Sequence, residues 1–352
     1  MSGNASWSRL DLDDAAAVRR WDDRCHDLPF PGLYHSTAWS RALHTAYGRR
    51  GDGFWCDNGT SGPLLLPVYP SPGPGRRWVS VAHAPYGGPA PLATAANSAA
   101  GLTAALPPPE QLPGAAQLTL RLPDPAPADL ASLPPAERVT LWLELPAAAD
   151  LLWKQLSAKV RNQVRKAEKA GVTVRAGRGE LLEAFYRLYE RRQHELGTPA
   201  HSRKFLAALL EAFPGAEILV AAQEDGTPVA AVFDFTWGAW RVNLYGASDF
   251  AKRALCGNML VYWRSLTRAV ETGCRSYDFS RSRASSGTCD FKRQWGAVPH
   301  PIREWHARPG AGAWQLIPVP PAAGEPLLPR LWRRLPFPAV RRLSPWLRPF
   351  VP

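Results

Sequence analysis

The stretch 217-EILVAAQEDGTPVAAVFDFTWGAWRVNLYGA-247 holds three apolar runs with turn residues between them. The first run meets the second at Asp225-Gly226, a dipeptide that strongly favours a hairpin between two strand-like runs. Strand candidates cover Glu217 to Gln223, Pro228 to Trp237 and Trp240 to Ala247. Three consecutive strands of this kind predict a three-stranded meander, and the rest of the fold is predicted outward from it.

The segments on both sides of the meander alternate between helix and strand patterns. One helix from Leu151 to Ala170 is predicted, because apolar residues recur every four positions at Leu152, Leu156, Val160 and Val164. This order predicts a protein of the α/β class in which helices and strands are built around a mixed sheet (α+β). The other predicted elements are a strand at 172–175, helices around 182–189, 205–213 and 257–272, a strand at 275–280, a helical segment at 291–295 and a strand at 301–306.

The N-terminal half runs through a similar series of elements without obvious sequence identity to the C-terminal half. This similarity predicts two tandem domains of one topology, at residues 1–148 and 149–308, followed by a Pro/Arg/Trp-rich tail at 309–352. One irregular α/β domain is the alternative. The elements predicted in the N-terminal half are helices at 18–25, 37–47 and 95–106, and strands at Phe54, 64–69, 78–82, 117–122 and 139–145.

Composition and charge describe a globular chain that favours an anionic partner. The 352 residues are 45% hydrophobic and 20% charged, and this length suits two domains of ordinary size. The formal net charge is 42 − 30 = +12. An excess of this size favours a polyanionic partner such as tRNA, a phosphorylated substrate, coenzyme A or an anionic membrane surface. A high-arginine proteome is the alternative explanation.

Several protein classes are disfavoured by what the sequence lacks. The first 21 residues contain acids and no apolar signal core, so a cytoplasmic protein is predicted. Five scattered cysteines without a CxxC pair predict reduced thiols. The sequence has no HExxH motif, Walker loop or GxSxG elbow, which argues against metal catalysis and against those nucleotide-binding and hydrolase classes.

Cations crowd the helix predicted at 151–170. Lys154, Arg161 and Arg165 lie at spacings that put them on one face of a continuous helix. Unbalanced positive charge favours contact with a phosphate, and a solvated surface face is the alternative. Arg161, Arg165 and Lys166 are therefore candidate binding residues. The six cations are Lys154, Lys159, Arg161, Arg165, Lys166 and Lys169, against the single acid Glu168.

A second group of cations and aromatic residues follows the strand predicted at 275–280. It begins with Asp278 and Arg281 and continues through Phe291-Lys292-Arg293-Gln294-Trp295-Gly296. Aromatic rings beside Lys and Arg suit a flat base or a developing oxyanion. Phe291 and Trp295 are four residues apart, so core packing explains these two rings equally well. Lys292 and Arg293 fit a binding or catalytic function better.

The chain resembles the Fem-like branch of the GNAT acyltransferase superfamily. The order of predicted elements is also that of the GNAT fold. In the N-terminal half the resemblance is limited to residues 36–39 and 85–89. The resembling segments run in family order over about 153–305 and are 159–168 with Gly171, 196–199, 245–248, 278–281 and 291–297.

The resemblance implies a donor site and a catalytic pair. In GNAT enzymes the fourth strand splays from the fifth, and the following helix N-terminus binds the donor pyrophosphate through free backbone N–H groups. The matching segment here contains Tyr245 and Asn258, with a loose, single-glycine form of the usual signal. Phe291 and Lys292 match the pair at which the aminoacyl ester is attacked, and Lys292 would stabilise the tetrahedral oxyanion.

The resemblance also implies the reaction class. Fem-type enzymes transfer an amino acid from aminoacyl-tRNA to a peptidoglycan precursor, and relatives use this chemistry to build natural products. We therefore expect an aminoacyltransferase with aminoacyl-tRNA as co-substrate, an amine acceptor and no metal or resident cofactor. The sequence lacks the inserted helical arm of some members that handle tRNA. The alternatives are an N-acyltransferase that uses acyl-CoA and a non-catalytic polysaccharide- or membrane-associated binding protein.

The tail after Pro309 combines prolines, arginines and tryptophans. From Arg330 onward it has six arginines and no acid. Such a segment can seat its apolar residues in the protein or lie on an anionic membrane. Prolines 336, 338, 345 and 349 prevent one long helix. The sequence therefore predicts that the tail packs back on the folded body, with peripheral membrane contact as the alternative.

Overall fold

The computed structural model describes residues 6–56, 64–72, 75–90, 99–112, 114–123, 136–320 and 327–351. The chain divides into two compact units. Unit 1 comprises Met1–Thr140 and His300–Pro321, and unit 2 comprises Leu141–Pro299 and Ala322–Val351. Strands and helices alternate through both units, so the architecture is mixed α/β.

The described residues form fourteen strands and eleven α-helices. The strands are β1 (Trp7–Arg9), β2 (Asp52–Cys56), β3 (Leu64–Pro70), β4 (Arg77–Ser80), β5 (Gln117–Pro123), β6 (Arg138–Glu144), β7 (Thr173–Gly177), β8 (Ala216–Ala222), β9 (Pro228–Trp237), β10 (Trp240–Ser248), β11 (Ser276–Asp278), β12 (Ser282–Arg283), β13 (Val298–Pro309) and β14 (Trp314–Pro318). The helices are α1 (Ala15–His26), α2 (Thr37–Tyr47), α3 (Ala99–Ala104), α4 (Ala149–Gln155), α5 (Ala158–Lys169), α6 (Leu182–Glu195), α7 (Arg203–Ala212), α8 (Gly257–Glu271), α9 (Gly287–Arg293), α10 (Leu327–Arg334) and α11 (Phe337–Leu347).

The sheet of unit 1 joins antiparallel pairs to one parallel pair. β1, β2, β3 and β4 pair antiparallel in that order, and β4 pairs in parallel with β5. β13 then pairs antiparallel with β5, from Ile302 opposite Pro123 to Ala307 opposite Leu118. Trp305 is buried in the same apolar cluster as Leu118. The core of unit 1 therefore depends on a strand that comes late in the chain.

The two observed units do not coincide with the domain boundaries at residues 148 and 308 that the sequence predicts. The sequence prediction places β13 in the second domain, whereas the residues from His300 onward lie in unit 1. The reason is the antiparallel ladder with β5, which buries Trp305. At the first boundary, β6 pairs with β11 from Glu144 opposite Ser276, and so its last residues belong to unit 2.

Unit 2 is built around the meander that the sequence predicts. β8 pairs antiparallel with β9, and β9 pairs antiparallel with β10. β7 extends the sheet on the β8 side, also antiparallel. On the other side β10 pairs in parallel with β11, which pairs antiparallel with β6. The meander is confirmed, and it lies inside the sheet with partners on both sides.

The single helix predicted from Leu151 to Ala170 is wrong, because the chain forms two helices there. α4 ends at Gln155, and Leu156 is extended. Ser157 caps α5, where its hydroxyl accepts a hydrogen bond from the Val160 N–H at 3.3 Å. A serine at this position favours a helix start over a helix interior. Lys154 is therefore not on one continuous helix with Arg161 and Arg165, although the four-residue apolar stripe is buried as expected.

The tail packs on α6, as the sequence predicts. Trp332 on α10 and Val340 on α11 are buried. Arg341 forms an ion pair with Glu190 at 3.0 Å, and Arg348 Nε donates to His201 Nε2 at 3.0 Å. Prolines divide the tail into two short helices. No helix in the described part of the chain is both long and apolar enough to cross a bilayer.

A buried polar network ties the meander to α8. The Asp234 carboxylate is fully buried and accepts hydrogen bonds from Arg241 Nε at 3.3 Å and Nη2 at 3.2 Å. Asn243 Nδ2 donates to the other oxygen of Asp234 at 2.7 Å, and the Ser265 hydroxyl also donates to Asp234. Arg241 Nη2 reaches Glu217 as well, at 2.6 Å. Burial raises the pKa of Asp234, and the Arg241 guanidinium counters that rise.

Asp234→Ala is expected to lower the free energy of unfolding by about 3–5 kcal/mol, because Arg241 would stay buried without this carboxylate. Urea denaturation measures the change. Asp150→Ala is the matched control, since it removes a carboxylate from an exposed pair with Lys154 at 3.1 Å. The control should change stability little. Similar small losses in both variants would contradict a stabilising function of the network.

Candidate functional site

The site begins where β10 and β11 part. The two strands pair over three residues only, from Trp240 opposite Ser276 to Val242 opposite Asp278. β10 continues to Ser248 beside β9, with a bulge between Asn243 and Tyr245. β11 ends at Asp278. Main-chain groups beyond this point are thus released from the parallel ladder.

The turn after β11 presents two carbonyl groups to a buried lysine. Asp278 is buried, and its Oδ1 accepts a hydrogen bond from the Ser280 N–H at 2.7 Å. This contact accompanies a left-handed conformation at Ser280, with φ at 59°. Lys292 Nζ donates to Ser280 O at 2.9 Å and to Arg281 O at 3.2 Å. The ammonium group is therefore held by the backbone of the turn.

Helix α9 carries Lys292 to this position. The Ser286 hydroxyl caps the helix by accepting from the Cys289 N–H at 3.2 Å. Lys292 is only 5% exposed, whereas Arg293 next to it is exposed. A buried ammonium is costly unless polar groups surround it, and the two carbonyls supply that compensation.

The environment of Lys292 lowers its pKa to about 8 from the usual 10.5. Burial is the largest cause, because it disfavours the charged form. Asp278 acts in the opposite direction and favours the ammonium. Lys292 is therefore mostly protonated at neutral pH and begins to lose its charge about 2.5 pH units below an ordinary lysine.

An aromatic group centred on Tyr262 includes Phe291, the residue before Lys292 on α9. The ring of Tyr262 stacks on Phe279 with centroids 5.9 Å apart and meets Phe291 edge-on at 5.0 Å. Trp295 is 6.4 Å from Tyr262 by centroid distance. The Tyr262 hydroxyl donates to Asn243 Oδ1 at 2.9 Å. Of the predicted site residues, Trp295 is buried in the core and Phe291 is partly buried, and both belong to this aromatic group.

Gly246 on β10 is required by the same packing. A Cβ at this position would overlap the Tyr262 hydroxyl. The Asn243 side chain also donates to Tyr245 O at 3.3 Å, so Asn243 joins β10 to Tyr262. The ring of Tyr245 packs on Tyr189 at 5.1 Å and on His201 at 5.7 Å. Tyr245 is thus linked to the aromatic group through Asn243 rather than through its own ring.

The first turn of α8 lies beside α9. Gln294 Nε2 contacts Met259 Sδ at 3.7 Å. Cys256 precedes the helix in a left-handed conformation and provides no side-chain cap. Its carbonyl accepts from the N–H groups of Met259 and Leu260. Asn258 is half-buried on this first turn and lies one helical turn before Tyr262.

The cations of α5 have structural contacts in this structure. Arg161 Nη1 donates to Leu156 O, so it caps the end of α4. The Arg165 guanidinium lies 5.4 Å from the centroid of the Trp153 ring. Lys166 is exposed. These three residues are on a helix that packs against α8, outside the group around Lys292.

Only some of the predicted site residues lie together. The structure brings together Asp278, Arg281, Phe291, Lys292 and Trp295. Sequence reasoning missed Tyr262, Phe279 and Asn243. The i, i+4 spacing of Asn258 and Tyr262 on an amphipathic helix is a signal that could have found Tyr262. Among the described residues, no group of three or more His, Cys, Asp or Glu is placed to hold a metal ion.

Comparison with known proteins identifies the domain. Residues 154–293 match the Acetyltransferase (GNAT) domain family. No curated protein sequence matches the chain. The structure of FemX is similar, with a TM-score of 0.61 at 14% identity over 83% of this chain and 95% of FemX. A conserved protein of unknown function from Bacteroides thetaiotaomicron VPI-5482 has a TM-score of 0.50 at 13% identity, over 88% of this chain and 99% of that protein. L-PGS from Bacillus licheniformis has a TM-score of 0.48 at 12% identity, over 90% of this chain and 94% of that protein.

Residues 154–293 of unit 2 therefore match a GNAT acetyltransferase domain, and the chain has the fold of FemX. The prediction of a mixed α/β protein with two tandem GNAT-like domains is confirmed. The Lys292 group lies within the matched residues.

The lowered pKa of Lys292 predicts a pH-dependent stability. Between about pH 8 and 10.5 the unfolded chain binds a proton that the folded protein releases, so stability rises with pH in this window. The difference corresponds to about 3 kcal/mol. Lys292→Met lacks this group, and its stability relative to wild type should fall by that amount between pH 8 and 10.5. Urea denaturation at several pH values measures this difference, and parallel profiles would contradict the lowered pKa.

Proposed function

We propose that the protein is an aminoacyltransferase that moves an aminoacyl group from aminoacyl-tRNA to an amine acceptor, with Lys292 as the oxyanion-stabilising residue. The GNAT domain supports a transferase. The observation that carries the proposal is the buried Lys292 ammonium in the turn where β10 and β11 part. The acceptor is a cell-wall precursor or a small molecule with a free amine.

The contacts of Lys292 suit this step. An ammonium group has three N–H donors, and two of them reach the carbonyls of Ser280 and Arg281. We propose that the third meets the oxyanion, next to an ammonium group that burial has already desolvated. A preorganised donor of this kind stabilises the transition state because it needs no reorganisation during the reaction. Phe279 and Phe291 add an apolar surface that excludes water from the ester.

The transfer balances without a cofactor. The acceptor nitrogen attacks the ester carbonyl carbon, and the carbonyl oxygen becomes the oxyanion that Lys292 meets. Collapse of this intermediate forms the amide and breaks the ester C–O bond. The proton lost by the amine passes to the leaving ribose oxygen, which becomes a hydroxyl group.

Acyl-CoA is a second candidate donor, and one observation favours it. The start of α8 has no side-chain cap, and a helix start of this kind presents N–H groups to a phosphate. In that case the bond that breaks is the thioester C–S bond, and Lys292 keeps its function. Incubation with a charged-tRNA pool and, separately, with an acyl-CoA panel, followed by mass spectrometry of amine acceptors, distinguishes the donors. Transfer from neither donor would favour the non-catalytic binding protein.

Lys292→Ala is expected to slow transfer by a factor of about 10² to 10³, or roughly 2.7–4 kcal/mol, the usual cost of losing an oxyanion donor. The wild-type rate should also show a descending limb near pH 8, where Lys292 loses its proton. The residual rate of Lys292→Ala should lack this limb.

Lys204→Ala on α7 is the matched control, because Lys204 is an exposed lysine of the same unit. It should transfer at the wild-type rate. Wild-type turnover by a folded Lys292→Ala variant would remove Lys292 from the mechanism and leave the fold assignment intact.

Arg165→Ala and Lys166→Ala are expected to weaken binding of a charged-tRNA pool at low salt. The difference from wild type should shrink as salt rises, because exposed charges are screened. Filter binding at two salt concentrations measures this change. Arg187→Ala, which removes an exposed cation from α6, serves as the control. Superimposable low-salt curves for the α5 variants and wild type would show that α5 does not contact the donor.

A further inference from the structure

Both tail helices leave large apolar side chains uncovered in the described structure. Several large apolar side chains there are well exposed, among them Leu327 at 72%, Leu328 at 78%, Trp346 at 79% and Phe350 at 63%. Exposed apolar residues at this density are unusual on a protein surface and mark an interaction site. We name this surface the tail face, which comprises Leu327, Leu328, Arg330, Leu331, Arg334, Arg342, Leu343, Trp346 and Phe350.

The exposed side chains of α11 lie opposite its packed side. Val340, Ser344 and Arg348 are buried at four-residue intervals toward the body of unit 2. Trp346 points away from that side, as the helical period requires, and Leu343 lies at the border between the two sides with 43% of its side chain exposed. Packing of α11 on α6 therefore cannot cover Trp346.

Positive charge accompanies the apolar side chains. Residues 326–352 contain six arginines and no acid. Arg341 and Arg348 are used in contacts with Glu190 and His201. Arg334 and Arg342 are exposed on the tail face beside leucine and tryptophan. The surface thus combines cations with aliphatic and indole side chains.

We propose that the tail face docks on a lipid bilayer that contains anionic lipids. Leucine and phenylalanine side chains enter the acyl boundary, and tryptophan prefers the headgroup level. Arginines at the same depth are attracted to anionic headgroups. The prolines do not prevent this contact, because the packing on α6 already holds both helices in place. Binding therefore does not need to order a free segment.

The charge and chemistry disfavour two other occupants. A second copy that docked through the same face would oppose two sets of arginines without an acid to pair with them. An RNA would suit the arginines, but it offers no apolar surface for Leu327, Leu328 and Leu331. A bilayer with anionic lipids satisfies both kinds of side chain.

Co-sedimentation of the full chain with vesicles tests the proposal. Vesicles of phosphatidylcholine with one third phosphatidylglycerol should carry the protein down, and pure phosphatidylcholine vesicles should carry far less. Trp346→Ala with Phe350→Ala should abolish most of the binding. Arg334→Ala with Arg342→Ala should weaken it about thirtyfold, from about 1 kcal/mol for each arginine. Leu12→Ser, at an exposed leucine of unit 1, is the control and should bind like wild type.

Three results would overturn the proposal. One is the absence of sedimentation with the anionic vesicles. Another is a concentration-dependent dimer that Trp346→Ala converts to monomer, which would assign the face to a second copy. The third is RNA binding that the arginine variants lose and Trp346→Ala retains, without vesicle binding. Because both aromatic residues are well exposed, their variants should keep the wild-type melting temperature, and the assay involves no acyl transfer, so its result does not depend on the proposed function.

Discussion

The early end of the β10–β11 pairing is the constraint on which the candidate site depends. The strands run side by side for three residues and then part. If the ladder continued, the backbone beyond Asp278 would be engaged with β10. The carbonyls of Ser280 and Arg281 instead accept the Lys292 ammonium. The same parting leaves room for Phe279 to stack on Tyr262.

The buried network around Asp234 holds β10 and α8 in position beside the point where β10 and β11 part. Asp234 holds Arg241 and Asn243 on β10, and Asn243 accepts a hydrogen bond from Tyr262 on α8. The position of the aromatic group therefore follows from charge pairing inside the sheet. Breaking a buried pair is costly, because the remaining charge has no solvent to replace its partner. The network thus links the stability of unit 2 to the geometry of the site.

The sequence predicted the elements that local patterns specify. The meander follows from its Asp225-Gly226 turn and apolar runs, and Lys292 was found through its aromatic neighbours and a family resemblance. The break between α4 and α5 was missed, because the apolar period continues across Ser157 and hides a capping residue. The sequence prediction assigned β13 to the second domain because it follows that domain's elements in sequence order, whereas β13 pairs with β5, a contact between distant parts of the chain. Tyr262 and Asn243 were missed for the same reason, because their hydrogen bond joins a helix to a strand.

We propose that the buried Lys292 ammonium, with its lowered pKa, meets the acyl oxygen. Nitrogen NMR of ¹⁵N-lysine-labelled protein, with the Lys292 signal assigned by its loss in Lys292→Met, tests it directly. We expect the Lys292 signal to titrate with a midpoint near pH 8 and to shift when a phosphonate analogue of the tetrahedral intermediate binds. A signal that titrates near pH 10.5 and does not respond to the analogue would contradict it.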